Sequence, residues 1–184
     1  MAEIKQPEDR LSVAIVRRVA LVRVEGRGSF KISTSLKDFI AATVDSGAET
    51  VVIDLAACLS MDSTFMGVLA GAAGRLRSKQ RGPLVLVNLQ PKTRTLIATL
   101  GLDQIVSAFD AGRTPAEYAP YFASADLESL PTGGESSKTQ AETVLAAHET
   151  LVSMNPENAP RFKDVLVFLR EDLKRKTESP GQFP

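Results

Sequence analysis

The stretch VVIDLAACLSMDSTFMGVLAGAAGRL, residues 51–76, joins an apolar run to a run of small residues through Asp62-Ser63-Thr64. Residues 50–55 are nearly all apolar, as in a strand whose two faces are both covered. Asp, Ser and Thr favour the start of a helix because their side-chain oxygens accept hydrogen bonds from its free backbone N–H groups. The stretch therefore predicts a buried strand that leads directly into a closely packed helix.

Strands and helices alternate on both sides of this stretch, as judged from apolar spacing and turn residues. Gly26 and Gly28 are expected to end the second strand, and Gly101 is expected to close the third helix. The predicted elements are strands 13–16 and 19–24, helix 33–45, strand 50–55, the helix after Asp62, strand 84–89, the helix from Pro91, and strand 105–109. This order predicts an α/β fold with a mixed sheet of four to five strands and right-handed crossovers between parallel pairs.

The composition is that of a globular chain, since 43% of the 184 residues are hydrophobic and 24% are charged. The 22 Lys and Arg residues balance the 22 Asp and Glu residues, so we expect no direct nucleic-acid partner. The longest uncharged stretch, 63–74, is too short to span a bilayer, and the first residues lack the apolar core of a secretory signal. We therefore expect a soluble, cytoplasmic protein without membrane insertion.

Few residues in the sequence are candidates for catalysis or metal binding. The phosphate-binding glycine patterns and the nucleophile-elbow motif are missing from the sequence. We interpret the single histidine, His148, as a helix-surface residue, and the single cysteine, Cys58, as a small buried hydrophobe. Asp54 and Asp62 alone supply too few oxygen ligands for Mg²⁺. We expect no enzymatic activity, no cofactor and no metal.

Both ends of the helix predicted after Asp62 carry polar residues that have a structural and a functional interpretation. At its start, the hydroxyls of Ser63 and Thr64 can cap the helix, or they can be exposed to a kinase. At its far end, cations can complement the helix dipole or face a partner. These cations are Arg75, Arg77, Lys79 and Arg81.

Residues 10–111 resemble a STAS domain, the fold of bacterial anti-sigma factor antagonists. The resemblance rests on the strand VVIDLAAC, on the motif MDSTFMGVL at 61–69, on the strand LVLVNL and on the helix KTRTLIATLGL. The hallmark of the family is an Asp-Ser-Ser/Thr-Gly-x-Gly turn whose second hydroxyl residue is phosphorylated. Matched position by position, that residue is Thr64, and Gly67 matches the later glycine. Phe65 stands where the family usually has Gly.

The resemblance implies a binding module that captures an anti-sigma factor with Ser/Thr kinase activity. The kinase would switch the antagonist off by phosphorylating Thr64, with Ser63 the less favoured acceptor, and a PP2C-type phosphatase would restore it. The partner-binding switch turn would comprise Asp62, Ser63, Thr64, Phe65, Met66 and Gly67. Two other roles stay open for the same fold: an accessory subunit of a lipid or anion transporter, and a small-molecule-sensing module.

A change in composition divides the chain after the STAS-like domain, 1–123. Residues 124–140 are rich in Ser, Gly, Pro and Thr and predict a flexible linker. Residues 141–176 contain two segments whose apolar residues recur at helical spacing, with a turn between them, and they predict a helical hairpin. Residues 177–184 are predicted to be a disordered tail. A hairpin of this length is marginal alone in water, so it needs a partner surface, either its own STAS body or a second copy in a homodimer.

Overall fold

Six strands and six helices alternate along residues 8–178, the part of the chain that the computed structural model describes. The strands are β1 (Arg10–Val16), β2 (Val19–Gly28), β3 (Thr50–Met61), β4 (Leu84–Leu89), β5 (Ser107–Asp110) and β6 (Glu128–Leu130). The helices are α1 (Phe30–Asp45), α2 (Ser63–Ser78), α3 (Pro91–Thr99), α4 (Ala119–Ser124), α5 (Ser137–Met154) and α6 (Ala159–Glu178). Short 3₁₀ turns lie at Leu102–Gln104 and Pro156–Asn158.

The strands form one sheet in the order β5-β4-β3-β2-β1-β6. Strands β2 to β5 pair in parallel, whereas β1 is antiparallel to both of its neighbours. The predicted mixed α/β sheet is confirmed, with six strands instead of four to five. The additional strand, β6, is only three residues long, too short for an alternating pattern to reveal it.

β2 continues past Gly26, contrary to the prediction, and ends at Gly28, as predicted. The pairing of β2 with β3 shifts register between Gly26 and Arg27, and Gly26 has a φ of 75°. Such a bulge needs a left-handed residue, which glycine provides without steric cost. β2 therefore reaches the end of β3 and brings Gly28 beside Met61, just before the start of α2.

The segment predicted as a flexible linker, 124–140, contains regular structure. Leu130 pairs with Leu11, so β6 extends the sheet beyond β1. α5 begins at Ser137 because the Ser136 hydroxyl oxygen accepts a hydrogen bond from the Thr139 backbone N–H at 3.1 Å. Only the residues between β6 and α5, and those before β6, are left as connections.

The two faces of the sheet are covered differently. On one face, α1, α2, α3 and α5 pack over a core that contains most of the buried apolar side chains. On the second face, the buried patch is smaller and consists of Leu21, Val52, Val85 and Val87. The segment around α4 covers this patch with the partly buried rings of Tyr118, Tyr121 and Phe122. Asp54 follows Val52 by two positions and therefore lies on this second face.

Helices α5 and α6 form a hairpin, and α5 packs against α2 and α1 of the same chain. The Thr143 hydroxyl oxygen accepts hydrogen bonds from the Thr34 hydroxyl and from the Lys37 ammonium, both at 3.1 Å. The hairpin turn is fixed by the Asn158 amide, which donates to the Leu100 and Leu151 carbonyls at 3.1 and 3.0 Å. The hairpin therefore packs on the α/β body of its own chain, the first of the two predicted partner surfaces.

The outer surface of the hairpin bears on two further predictions. α6 leaves Val165, Val167 and Phe168 exposed, and a homodimer through the C-terminal helices stays a prediction. The predicted disordered tail, 177–184, begins inside α6, and its residues 179–184 lie outside the described residues. Among the helices of residues 8–178, none is long and apolar enough to cross a membrane.

Candidate functional site

Asp62 joins the starts of two helices. Its Oδ1 accepts a hydrogen bond from the Phe65 backbone N–H at 2.9 Å and caps α2, as predicted from the sequence. Its Oδ2 accepts from the Phe30 N–H at 2.7 Å, at the first residue of α1, whose own N-cap residue Ser29 makes no side-chain cap bond. The Asp62 N–H donates to the Gly28 carbonyl at 2.9 Å. One carboxylate therefore satisfies backbone donors of both helices, at the position where β3 ends.

Asp9 fixes the neighbouring corner between β2 and α1. Its carboxylate accepts hydrogen bonds from the Arg27 backbone N–H at 3.0 Å and from the Ser29 hydroxyl at 2.8 Å. Partial burial raises the pKa of this carboxyl, but the hydrogen bonds from Arg27 and Ser29 and the Arg27 charge outweigh it and bring the pKa below its ordinary value.

The lowered pKa of Asp9 predicts a small loss of stability in acid. A depressed folded-state pKa stabilises the fold above the ordinary value of 3.8, and this contribution disappears as the pH falls through the folded-state pKa. We expect Asp9→Asn to reduce the acid dependence of the unfolding free energy below pH 4 by less than about 1 kcal/mol, since the pair is close to the surface. Urea unfolding at pH 3 and pH 6 measures this difference, and equal pH dependence in both proteins would contradict it.

Phe65 is fully buried and its ring lies against Gly28. A Cβ atom added at Gly28 would come within 2.7 Å of the Phe65 Cδ1 atom, so the ring fits only because residue 28 is glycine. The bulky residue at the position where the resemblance expects Gly is therefore part of the core under β2. Its side chain does not stand in the solvent beside the Thr64 hydroxyl.

The interpretation of His148 as a helix-surface residue is wrong, because His148 is only 4% exposed and lies between α2 and α6. Its Nδ1 atom is 2.8 Å from the Val144 carbonyl oxygen, which can only accept, so Nδ1 carries a proton. In the neutral ring, Nε2 then accepts a hydrogen bond from the Ser63 hydroxyl, at 2.9 Å. The Phe162 ring packs edge-on against the imidazole, with centroids 4.9 Å apart.

The remaining residues of the switch turn are buried. Thr64 is 4% exposed, and Met66 and Gly67 are also buried, so only Asp62 and Ser63 are partly open to solvent. A Cβ atom added at Gly67 would lie 2.4 Å from the Ala147 carbonyl oxygen, which shows how closely the α5 backbone approaches α2. Of the two interpretations of these hydroxyls, an exposed acceptor does not describe Thr64 in this structure, and phosphorylation of Thr64 stays a prediction.

A cavity of about 170 Å³ lies where α5 crosses α1 and α2. Its walls are mainly small or apolar, and Lys37 and Arg75 contribute the charged part of the lining. The apolar lining includes Ile40, Ala41, Val68, Gly71, Ala72 and Ala147. The contact between hairpin and body is therefore close at Gly67 and open a turn further along α2.

Arg75 and Lys79 of the basic cluster, and Cys58, make contacts within the chain. Arg75 and Lys79 form ion pairs with Asp45 at the end of α1, and the Arg75 hydrogen bond lowers the pKa of that carboxyl. Two of the four cations of the basic cluster therefore pair with a carboxylate of the same chain. Cys58 is 3% exposed, so its interpretation as a small buried hydrophobe is confirmed, and burial raises the pKa of its thiol.

Asp54 and Asp62 do not form a common metal site. Asp54 lies within β3 and accepts hydrogen bonds from the Arg23 guanidinium at 3.1 Å, the Ala56 N–H at 3.0 Å and the Asn88 amide at 2.8 Å. Asp62 follows the end of the same strand. Within residues 8–178, no three His, Cys, Asp or Glu side chains form a group that could hold a metal ion.

Comparisons with known proteins bear on the first two thirds of the chain. A family model described as "Mlab, STAS domain" matches residues 11–107, which include the switch turn and end before the hairpin. No curated protein matches the sequence.

Two solved structures share the fold. The crystal structure of a Thermotoga maritima protein, described as an anti-sigma factor antagonist, is 19% identical and superposes with a TM-score of 0.52, covering 61% of this chain and 92% of that one. The unphosphorylated anti-sigma factor antagonist SpoIIAA from Bacillus is 19% identical with a TM-score of 0.50, covering 61% of this chain and 95% of that one. At these identities the likeness extends to the fold alone.

Proposed function

The chain belongs to the STAS domain family, and from this premise we propose that it is an anti-sigma factor antagonist. In this proposal it binds an anti-sigma factor that is also a Ser/Thr kinase, and it acts as a binding partner and substrate, not as an enzyme. The kinase phosphorylates Thr64, and a PP2C-type phosphatase removes the phosphate. The observation that carries the proposal is the switch turn, where the Asp62 cap places two hydroxyl residues in the first turn of α2.

The electrostatics of the turn suit a phosphate switch. A phosphoryl group adds about −1.5 to −2 charge near neutral pH, and at Thr64 it would stand two residues from Asp62. The first turn of a helix accommodates an anion, since its backbone N–H groups and the helix dipole favour negative charge. A phosphate at this position is therefore compatible with an intact α2, and it would switch the protein off at the partner interface, through charge repulsion and bulk.

Variants of Thr64 test the proposal. We expect Thr64→Ala to keep the fold, because Asp62 supplies the cap of α2, and to accept no phosphate. We expect Thr64→Glu to bind the anti-sigma factor at least tenfold more weakly, which corresponds to about 1.4 kcal/mol or more. Calorimetric titration with each purified anti-sigma kinase of the source bacterium measures the binding affinity. Phosphopeptide mass spectrometry after incubation with the kinase shows which residue carries phosphate.

Ser63→Ala is the matched control for the acceptor, since it removes the neighbouring hydroxyl and leaves Thr64. Phosphate on Thr64 in Ser63→Ala, together with none in Thr64→Ala, supports the assignment. Phosphate found on Ser63 alone would move the site by one residue. Lack of binding to every anti-sigma kinase of the bacterium would reject the proposed function.

The burial of Thr64 favours a second candidate function, the accessory subunit of a lipid or anion transporter. A module of this kind binds its partner without phosphorylation, so a covered hydroxyl causes no difficulty. The two candidates differ in the partner that they require. Reconstitution with the ATPase subunit of a transporter, in parallel with the anti-sigma kinases, distinguishes them by which complex elutes as one species in size-exclusion chromatography.

A further inference from the structure

We propose that the hairpin α5–α6 is an intramolecular cover of the switch turn, so that the isolated chain holds Thr64 closed and a kinase or partner reaches it only after α5 has left α2. The biological meaning of the cover rests on the proposed function. Closure and opening themselves are properties of the chain alone and can be measured without a partner.

Three contacts hold the cover in place, each at a different position of the face formed by α1 and α2. At the start of α2, the Ser63 hydroxyl is hydrogen-bonded to His148. One turn later, the backbone of α5 at Ala147 lies directly over Gly67. On α1, the buried Thr34 hydroxyl donates a hydrogen bond to the Thr143 hydroxyl. The hydroxyl of Ser63 and the glycine of the switch turn are thus both used to seat α5.

In this proposal, the seating of α5 is what buries Thr64. Thr64 lies one helical turn before Val68, and both therefore project on the same side of α2. Val68 lines the cavity closed by α5, together with Ala147. Phosphoryl transfer needs the phosphorus within about 3–3.5 Å of the attacking hydroxyl oxygen and in line with it. A residue that is 4% exposed cannot admit a second protein to that distance while α5 is seated.

The structure also indicates why α5 can leave. The cavity of about 170 Å³ under α5 means that this interface lacks part of the close contact of a core. The connection before α5 contains Gly133, with a φ of 81°, and Gly134, and a Cβ atom added at either would meet nothing within 4 Å. Opening must break the polar contacts of His148 and Thr143 and the hydrogen bond from Asn158 to the Leu100 carbonyl, whereas the sheet and its strand order are not involved.

A cysteine at the switch position reports the closed state in the full chain. In a Cys58→Ala background, which removes the native thiol, we expect Thr64→Cys to react with Ellman's reagent at least 100-fold more slowly than Ser153→Cys, an exposed position on α5. Adding Gly67→Val to Thr64→Cys inserts a branched side chain against Ala147, and we expect it to accelerate the reaction at least tenfold. Adding Gly74→Ala, where a Cβ meets nothing within 4 Å, is the matched control and should leave the rate unchanged.

Circular dichroism and amide protection of β2 to β4 establish that each variant remains folded. If Gly67→Val fails this criterion, His148→Ala, which removes the Ser63 bond and the contact with Phe162, takes its place and should also accelerate labelling. Equal labelling of Thr64→Cys and Ser153→Cys in the otherwise unchanged chain would overturn the cover, as would a rate insensitive to both opening variants. Since no partner is present, these results do not depend on whether an anti-sigma factor binds.

Discussion

Replacing Gly67 with Ala is expected to lower the free energy of unfolding, whereas the same replacement at Gly74 is expected to raise it. Both glycines lie within α2, where Ala exceeds Gly in helix stability by about 0.5–1 kcal/mol. At Gly74 a Cβ has free space and the gain is realised. At Gly67 the Cβ would lie 2.4 Å from the Ala147 carbonyl oxygen, and overpacking of this kind costs about 1–3 kcal/mol. Since the propensity gain is common to both, we expect the two variants to differ by about 1–3 kcal/mol.

Urea unfolding of the two variants measures this difference, and hydrogen exchange locates it. In Gly67→Ala, faster exchange should be concentrated in residues 137–178, with the amides of β2 to β4 unchanged. A Gly67→Ala protein as stable as Gly74→Ala would mean that α5 does not sit against Gly67. Because the two substitutions have the same chemistry in the same helix, propensity cancels between them and only the α5 contact is compared.

Replacing Asp62 with Ala is expected to destabilise the fold by about 2–4 kcal/mol, since two hydrogen bonds to a charged acceptor are lost together. Without the carboxylate, the Phe65 N–H at the start of α2 and the Phe30 N–H at the start of α1 lose their acceptors. Asp62→Asn retains one acceptor oxygen and should cost about half as much. If Asp62→Asn and Asp62→Ala were equally destabilised, the double cap would be excluded.

Thermal and urea unfolding give these values, and Asp38→Ala is the control. Asp38 lies on the exposed surface of α1 and has a loose ion pair with Lys37 at 3.7 Å, so its loss should change the unfolding free energy by less than about 0.5 kcal/mol. A result above that limit would indicate a general effect of removing negative charge. Hydrogen exchange in Asp62→Ala should increase at the first turns of both helices, as expected for one residue that serves both.

The elements predicted correctly are those whose ends are marked within a few residues. β4 occupies 84–89 as expected, since its apolar run is preceded by Gly82-Pro83 and followed by the helix that Pro91 opens. The start of α2 was predictable because Asp62 provides its cap locally. In both cases the physical cause lies in neighbouring residues, and the sequence displays it.

The misjudged positions depend on contacts between distant parts of the chain. The buried side chain of His148 is hydrogen-bonded to Ser63, which lies 85 residues earlier in the sequence. The residues around position 148 do not identify that partner. The composition of 124–140 predicted a linker, since β6 has no apolar pattern of its own. This strand is stabilised by its pairing with β1, which lies more than 100 residues earlier in the sequence. Local patterns thus predicted the STAS body but not where the hairpin docks on it.

The short strand β6 has a consequence for the colloidal behaviour of the protein. It pairs with Leu11, Ser12 and Val13, three of the seven residues of β1, and an uncovered edge is a template on which other chains can add strands. Beyond them, the edge continues past Ile15, an exposed apolar residue, to Arg17 and Arg18, whose charges oppose such addition. A shortened chain that stops before Glu128 would therefore lose more than the hairpin. It would bare the whole of β1 and favour edge-to-edge aggregation, whereas one that stops after Leu130 keeps the edge protected.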